Sequence, residues 1–348
     1  MKCLFIIQGE GRGHATQAIA LKQILDSINI QVSAAYIGKN HNNRNHNWVF
    51  DDLSLSPNYF YSPNFIYKNN EVNFPLTAIK TLKNIKNIRF SIGFLHQEIK
   101  KYNPDFIVNF YEPLTPFANH NLNKPVITIG HQYMLDHQNY PNPKKWRLHK
   151  KIILLFNKLV AHNSKHILAL SYYQAKHHNP LISVAPPLLR KSILNAKPHI
   201  TPNKVAVYLI NPEQIHNILS QTPNYPNHTF IIYNEKYTTQ TFNTSCVPIS
   251  PNFIQDLLSS QYVICSGGFE TICEAHYHNK HILAVPTKNH TEQILNTIDA
   301  SSNNIIITNN NYNLSQLLSN NTTSPSSTTY PKESHTQFYT NFFKYLLK

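Results

Sequence analysis

Two short stretches of the 348-residue chain concentrate the side chains that could do chemistry. The first is Gly9-Glu10-Gly11-Arg12-Gly13-His14, glycines closing on a histidine. An imidazole can take up a proton near neutral pH, so His14 is a candidate general base, with Glu10 and Glu112 as competitors. The second is Ser266-Gly267-Gly268-Phe269-Glu270-Thr271, followed by Glu274. A Ser-Gly-Gly turn between strand and helix aims backbone amides at an anion. Glu270 and Glu274, four residues apart, fall on one helix face and could accept hydrogen bonds from the two hydroxyls of a ribose. Glu270 could alternatively serve only the positive end of its helix.

Each stretch needs a strand before it and a helix behind it. Residues 3–7 are a short apolar run and 15–25 place Ile19, Leu21 and Ile24 among good helix formers, so strand, loop and helix follow in order. Further strands are predicted at 31–37, 106–110, 126–129 and 167–170, with a helix over 74–101, basic on its free face, and a mobile polar loop at 39–47. A second series follows, with strands at 205–210, 230–233, 262–265 and 281–286 and a helix at 291–300. Short apolar strands alternating with helices predict α/β architecture with doubly wound parallel sheets. The expected domains are 1–190 and 191–330, joined near 188–202. After a linker at 319–331, a terminal helix at 331–348 carries Phe338, Phe342 and Leu346 on one side and is expected to pack toward the first domain.

Composition narrows the function classes. The chain has 41% hydrophobic residues, enough for ordinary cores, and 31 Lys and Arg against 17 Asp and Glu, a net charge of +14 that suits an anionic partner. The four cysteines sit in apolar runs without CxxC spacing, which argues against zinc and disulfides. No apolar run is long enough for a signal peptide or a membrane span, so a cytoplasmic location is expected. A dinucleotide site would want a third glycine where His14 stands and an acid some twenty residues on, yet no acid lies between Asp26 and Asp51. No Gly-Lys-Ser/Thr follows the loop either.

Several stretches together, GEGRGHATQAIAL, NFYEPLTPFA, VITIGHQY, PPLLR and SGGFETICEAHYHNKHILAVPTKNHTEQ, resemble the bacterial and archaeal glycosyltransferases of GT-B fold. That group is distantly similar to the peptidoglycan N-acetylglucosaminyltransferase and to the UDP-glucuronosyltransferases. The resemblance implies two Rossmann-like doubly wound domains facing across a cleft, and a sugar donor carried on a nucleoside diphosphate, most readily UDP. By the same resemblance Glu274 binds the ribose, Glu292 and Gln293 touch the donor sugar, and Arg190 clamps the diphosphate. Gly11, Arg12, Gly13, Phe253, Ser266, Gly267, Gly268, Phe269, Glu270, Thr271 and His290 complete the expected donor side, and Asn109 and His131 the acceptor side. Many relatives carry an aspartate where this chain has Asn109.

No Asp-x-Asp occurs, so no metal or other cofactor is expected, and amides with Arg190 would instead stabilise the leaving diphosphate. The acceptor is unidentified, with a lipid-linked molecule or a surface glycan as candidates. Residues 142–159 combine Lys144, Lys145, Arg147, Lys150 and Lys151 with Trp146, Ile153 and Phe156, and could lie on an anionic membrane at its inner face. The alternatives are a nucleotide-sugar epimerase of the same architecture, a non-catalytic protein, and a basic nucleic-acid binder. The last has only charge in its favour, and no specific nucleic-acid partner is expected.

Overall fold

The computed structural model describes residues 1–9, 12–39, 53, 55–64, 66–68, 71–209, 211–234, 237–308, 313–318 and 330–346. Glu10, Gly11, residues 40–47 of the polar loop and residues 319–329 of the linker lie outside the described residues. The chain forms two compact units, one of Met1–Arg190 with Tyr330–Lys348, the other of Lys191–Thr329.

The first unit is built on a seven-stranded parallel sheet. Its strands are β1 (Lys2–Gln8), β2 (Gln31–Lys39), β3 (Asn58–Tyr61), β6 (Phe106–Phe110), β7 (Val126–Gly130), β8 (His166–Leu170) and β9 (Ile182–Ala185), in the order β3-β2-β1-β6-β7-β8-β9. A small antiparallel ribbon, β4 (Tyr67–Lys68) with β5 (Glu71–Val72), stands apart from it. Helices α1 (Gly13–Ser27), α2 (Phe74–Lys83), α3 (Ile85–Tyr102), α4 (Thr115–Ala118) and α5 (Arg147–Val160) connect the strands. Every residue from Cys3 to Ile7 is 0% exposed, which is why β1 reads as an unbroken apolar run rather than an alternating one. Strand order reverses between β1 and β6, so the residues just past these two strands sit where open α/β sheets bind ligands.

The predicted helix at 74–101 is in fact two helices broken at Asn84. The Asn84 amide Nδ2 donates to the Lys80 carbonyl (2.9 Å), closing α2, while its Oδ1 accepts from Asn87 at the start of α3. An asparagine that satisfies backbone on one side and side chain on the other ends one helix and opens the next. The short edge strand β3 was not anticipated, because Asn-Tyr-Phe-Tyr shows no alternation of apolar and polar residues. The last helix, α8 (Ser334–Leu346), belongs to this unit and packs on α1. Its buried stripe is His335, Tyr339 and Phe343, with Phe338 and Phe342 half-buried beside it. Tyr339 Oη donates to the Pro186 carbonyl (2.5 Å), and the His335 ring Nδ1 donates to that of Pro187 (3.0 Å).

The second unit carries a six-stranded parallel sheet of β10 (Thr201–Tyr208), β11 (Thr229–Tyr233), β12 (Thr244–Val247), β13 (Ser260–Cys265), β14 (His281–Ala284) and β15 (Ile307–Thr308). The order β12-β11-β10-β13-β14-β15 reverses between β10 and β13. Val205, Val207, Phe230, Ile264 and Leu283 form the centre of its core. Two helices matter for function: α6 (Phe269–Tyr277), which follows β13, and α7 (Thr291–Ser302), which follows β14. Phe253, expected on the donor side, is instead buried against Tyr208 and Tyr233. It is 1% exposed, with its ring 5.0 Å from that of Tyr208 and 5.3 Å from that of Tyr233, and no face is left for a ligand.

Candidate functional site

In the second unit, β13 ends at Cys265 and the chain turns through Ser266 and Gly267 into α6, whose N-cap is Gly268. Gly267 has φ +81°, a left-handed conformation, and a Cβ there would lie 2.6 Å from Thr297 Cγ2 and 3.1 Å from the Gln293 carbonyl on α7. Only glycine meets both demands, so the turn is pinned against α7. Gly268 is the opposite case: it is exposed, with nothing within 4 Å of where its Cβ would stand, and no side chain caps the helix. The Ser266 hydroxyl is buried and has no hydrogen-bond partner. A buried hydroxyl beside an uncapped helix N-terminus, at the reversal point of the sheet, is an anion-binding arrangement.

Glu274 lies one turn into α6 and is 4% exposed, while Glu270 and Thr271 are half-buried and Phe269 is buried. Both carboxylates lie close enough to Cys273 to add to the burial that drives its thiol pKa well above the usual range. On α7, Gln293 accepts through Oε1 from the Thr287 backbone N–H (2.9 Å), which fixes the loop after β14. His290 is the N-cap of α7, accepting through Nδ1 from the Gln293 N–H at 3.4 Å. Burial lowers its pKa to about 4, so the ring stays neutral, as an acceptor must. Its first role is therefore to cap, and Glu292 stands half-buried in the first turn it closes.

In the first unit, Arg12 and Gly13 open α1 and His14 follows in its first turn. The His14 ring stacks on Tyr111 with centroids 5.6 Å apart and planes 18° from parallel, and its Nδ1 faces Gln17 Oε1 at 3.4 Å. Donation from Nδ1 to the amide oxygen leaves Nε2 as the acceptor nitrogen. Burial lowers its pKa to about 4, with the Gln17 contact opposing, so the imidazole is neutral and able to take a proton across the neutral range.

Glu112 does not share that ability. It is 0% exposed, accepts through Oε1 from Ser62 Oγ (2.7 Å) and the Leu114 N–H (3.2 Å), and its Oε2 is unpartnered. Burial pushes its pKa up to about 8, so at neutral pH it is mostly protonated and a poor base. Oε2 presses on Gly38, where a Cβ would be only 2.2 Å away. Since the Gly9 N–H bonds the Gly38 carbonyl (2.9 Å), Glu112 buttresses the strand end that carries the first glycine loop.

Asn109 and His131 are also interior. Asn109 is 0% exposed; its Nδ2 donates to the carbonyls of Glu112 (3.2 Å) and Val160 (3.3 Å), and its Oδ1 accepts from the Glu112 N–H (2.8 Å). His131, 2% exposed, is bonded through Nδ1 to the Leu170 carbonyl (2.7 Å) beside the Tyr172 ring. Arg190, 6% exposed, is the last residue of the first stretch of its unit.

Tyr111 was missed by the sequence reading. It has φ +61°, a costly conformation for a bulky side chain. Its ring contacts those of His14, Tyr133 and Phe156, and its hydroxyl donates to Asn157 Oδ1 (2.5 Å) on α5. These contacts hold the Tyr111 ring in place against that of His14. A Tyr-Glu-Pro sequence gives no signal of a left-handed tyrosine.

Two Rossmann-like domains, the second with a Ser-Gly-Gly turn at the reversal point of its parallel sheet, are the architecture of the GT-B glycosyltransferases. The family described as Glycosyl transferase family 1 matches residues 1–318, and the chain belongs to it. Among solved structures it is similar to LpCGTa in complex with UDP, at 14% identity and TM-score 0.60 over 88% of this chain and 84% of that one. It is also similar to VinC in complex with dTDP, at 13% identity and TM-score 0.57 over 99% and 95%. MurG of Acinetobacter baumannii matches at 11% identity and TM-score 0.53 over 99% and 91%. A sequence comparison with curated proteins finds no match. The chain is a glycosyltransferase of two Rossmann-like domains.

Proposed function

We propose that the chain transfers a sugar from a nucleoside diphosphate donor, a UDP-sugar foremost, to an acceptor hydroxyl without a metal ion. The observation that carries this reading is the Ser266–Gly268 turn, with its unpartnered hydroxyl and open glycine at an uncapped helix N-terminus. Cleavage of the bond from the anomeric carbon to the diphosphate oxygen leaves negative charge on that oxygen. Amides of the turn, the positive end of α6 and the Arg190 guanidinium are suited to stabilise it, and such preorganised donors supply several kcal/mol, on the order of 3 for a single one. Glu274 accepts from the ribose hydroxyls, while Glu292 and the Gln293 amide nitrogen meet the sugar. His14 Nε2 takes the acceptor proton as the acceptor oxygen bonds to the anomeric carbon. If the attack comes opposite the leaving group, configuration inverts. Neighbours solved with UDP and with dTDP support a pyrimidine nucleotide.

Incubation with UDP-sugars in EDTA, followed by ³¹P NMR, tests the reaction. Release of UDP is expected, slowly to water and faster with an acceptor. Conversion of one UDP-sugar into another with no UDP released would make the enzyme an epimerase.

The reading includes a peripheral position on an anionic membrane. Among the described residues no helix is long and apolar enough to cross one. The face expected to touch lipid is corrected by the structure: Trp146 is 9% exposed and the Phe156 ring packs on Tyr111, so neither is presented. The outer face of α5 instead shows Leu148, Leu155 and Leu159, at 68%, 66% and 42% exposed, with the exposed Lys151 and Lys158 among them. Helices α2 and α3 expose Leu82 and Phe90 between Lys80, Lys83, Lys86 and Arg89, and no acid occurs from residue 72 to 97. Exposed apolar side chains among cations suit a bilayer interface with anionic lipids.

A further inference from the structure

The first unit has a surface cavity of about 270 Å³ that the transfer chemistry does not use. It is formed by the connections that enter β7 and β8, hence at the N-terminal edge of the sheet, whereas His14, Glu112 and His131 follow strand C-terminal ends. His120, His162, Lys124 and Lys165 line it together with Asn119 and Asn163, and no acid does. The side chains of His120, His162 and Lys165 have no hydrogen bond or ion pair with a described residue, and Lys124 Nζ bonds only the neutral Asn103 Oδ1 (2.5 Å).

The walls are fixed. The Asn119 side chain clasps the Lys124 carbonyl (2.8 Å) and N–H (3.2 Å), and the Lys165 N–H bonds the Val126 carbonyl (2.8 Å). Thr128 Oγ1 and Ser164 Oγ share a hydrogen bond of 2.6 Å. Asn123 and Asn163 turn the chain in the left-handed region (φ +50° and +60°), which asparagine tolerates. Like charges gathered in a fixed cavity with no counter-charge repel one another; Lys165 already helps burial to lower the pKa of His166.

We propose that this cavity binds a phosphomonoester, either free or as the headgroup of a lipid. Such a group carries close to two negative charges and three acceptor oxygens, matched by two ammonium groups and two imidazoles. At roughly 30 Å³ per water molecule the cavity holds about nine waters' volume, room for a phosphate with a small carbon unit attached.

The test is calorimetric titration with glycerol 3-phosphate at low salt, in parallel with sedimentation on phosphatidic acid vesicles, for the wild type and for His162→Gln/Lys165→Gln. Both positions are exposed, so the variant should melt with the wild type. At least tenfold weaker binding by the variant is expected, with Lys83→Gln/Lys86→Gln as a control of comparable charge that keeps its affinity for glycerol 3-phosphate. Loss in the soluble titration alone identifies a free phosphomonoester, and loss on vesicles identifies a lipid. The proposal is overturned if the wild type binds neither probe, if the variant binds both unchanged, or if the control loses as much affinity for glycerol 3-phosphate.

Discussion

The His14→Ala enzyme is expected to keep its fold and its nucleotide affinity while kcat falls by about 10²–10⁴, the usual contribution of a general base. The residue is half-buried and its contact with Gln17 Oε1 is long (3.4 Å), so truncation leaves the fold intact. The pH profile separates the candidates. A base must be deprotonated to act, and burial places the His14 pKa near 4, so kcat/KM should hold across the neutral range and fall only as pH drops toward 4. Were Glu112 the base, its pKa near 8 would make activity rise through that value. An acid limb near 8 in the wild type, or full activity in His14→Ala, would remove His14 from the mechanism.

Asn109→Asp should cost about 3 kcal/mol of stability and restore nothing to catalysis. The substitution removes both N–H donors and sets carboxylate oxygens against the Glu112 and Val160 carbonyls in a fully buried site. The Val160 carbonyl loses its donor and the Glu112 carbonyl keeps only the long bond from the Thr115 N–H (3.4 Å), a loss of roughly 1–3 kcal/mol before the penalty for a buried charge. Urea unfolding measures the loss; a change below about 1 kcal/mol would show that the clasp is not fixed as described. The asparagine thus stands as a brace between β6, Glu112 and the end of α5, and not as a weakened base.

The parts legible in the sequence were those where a local rule forces the residue type. The apolar run of β1, the glycines that must turn tightly into a helix, and the alternation of strands with helices are all of this kind. Gly267 is the clearest, since its left-handed φ and its contact with Thr297 leave no other residue possible. What stayed hidden depends on partners distant in sequence. Glu112 looks like any carboxylate until Ser62 and Gly38 enclose it. The left-handed φ of Tyr111 is held by Asn157, His14 and Phe156, and Phe253 is a core ring only because Tyr208 and Tyr233 flank it. On α5 the basic and apolar pattern was visible, yet which apolar residues face outward was settled by Tyr111 and the sheet beneath.

Calorimetric titration of the wild type and of Glu274→Ala with UDP, dTDP, GDP and ADP in EDTA tests the donor site most directly. Binding of a pyrimidine diphosphate is expected, weakened at least tenfold by the substitution, about 1.4 kcal/mol. Absence of binding by any of the four, or equal binding by Glu274→Ala, would contradict a nucleotide site on α6.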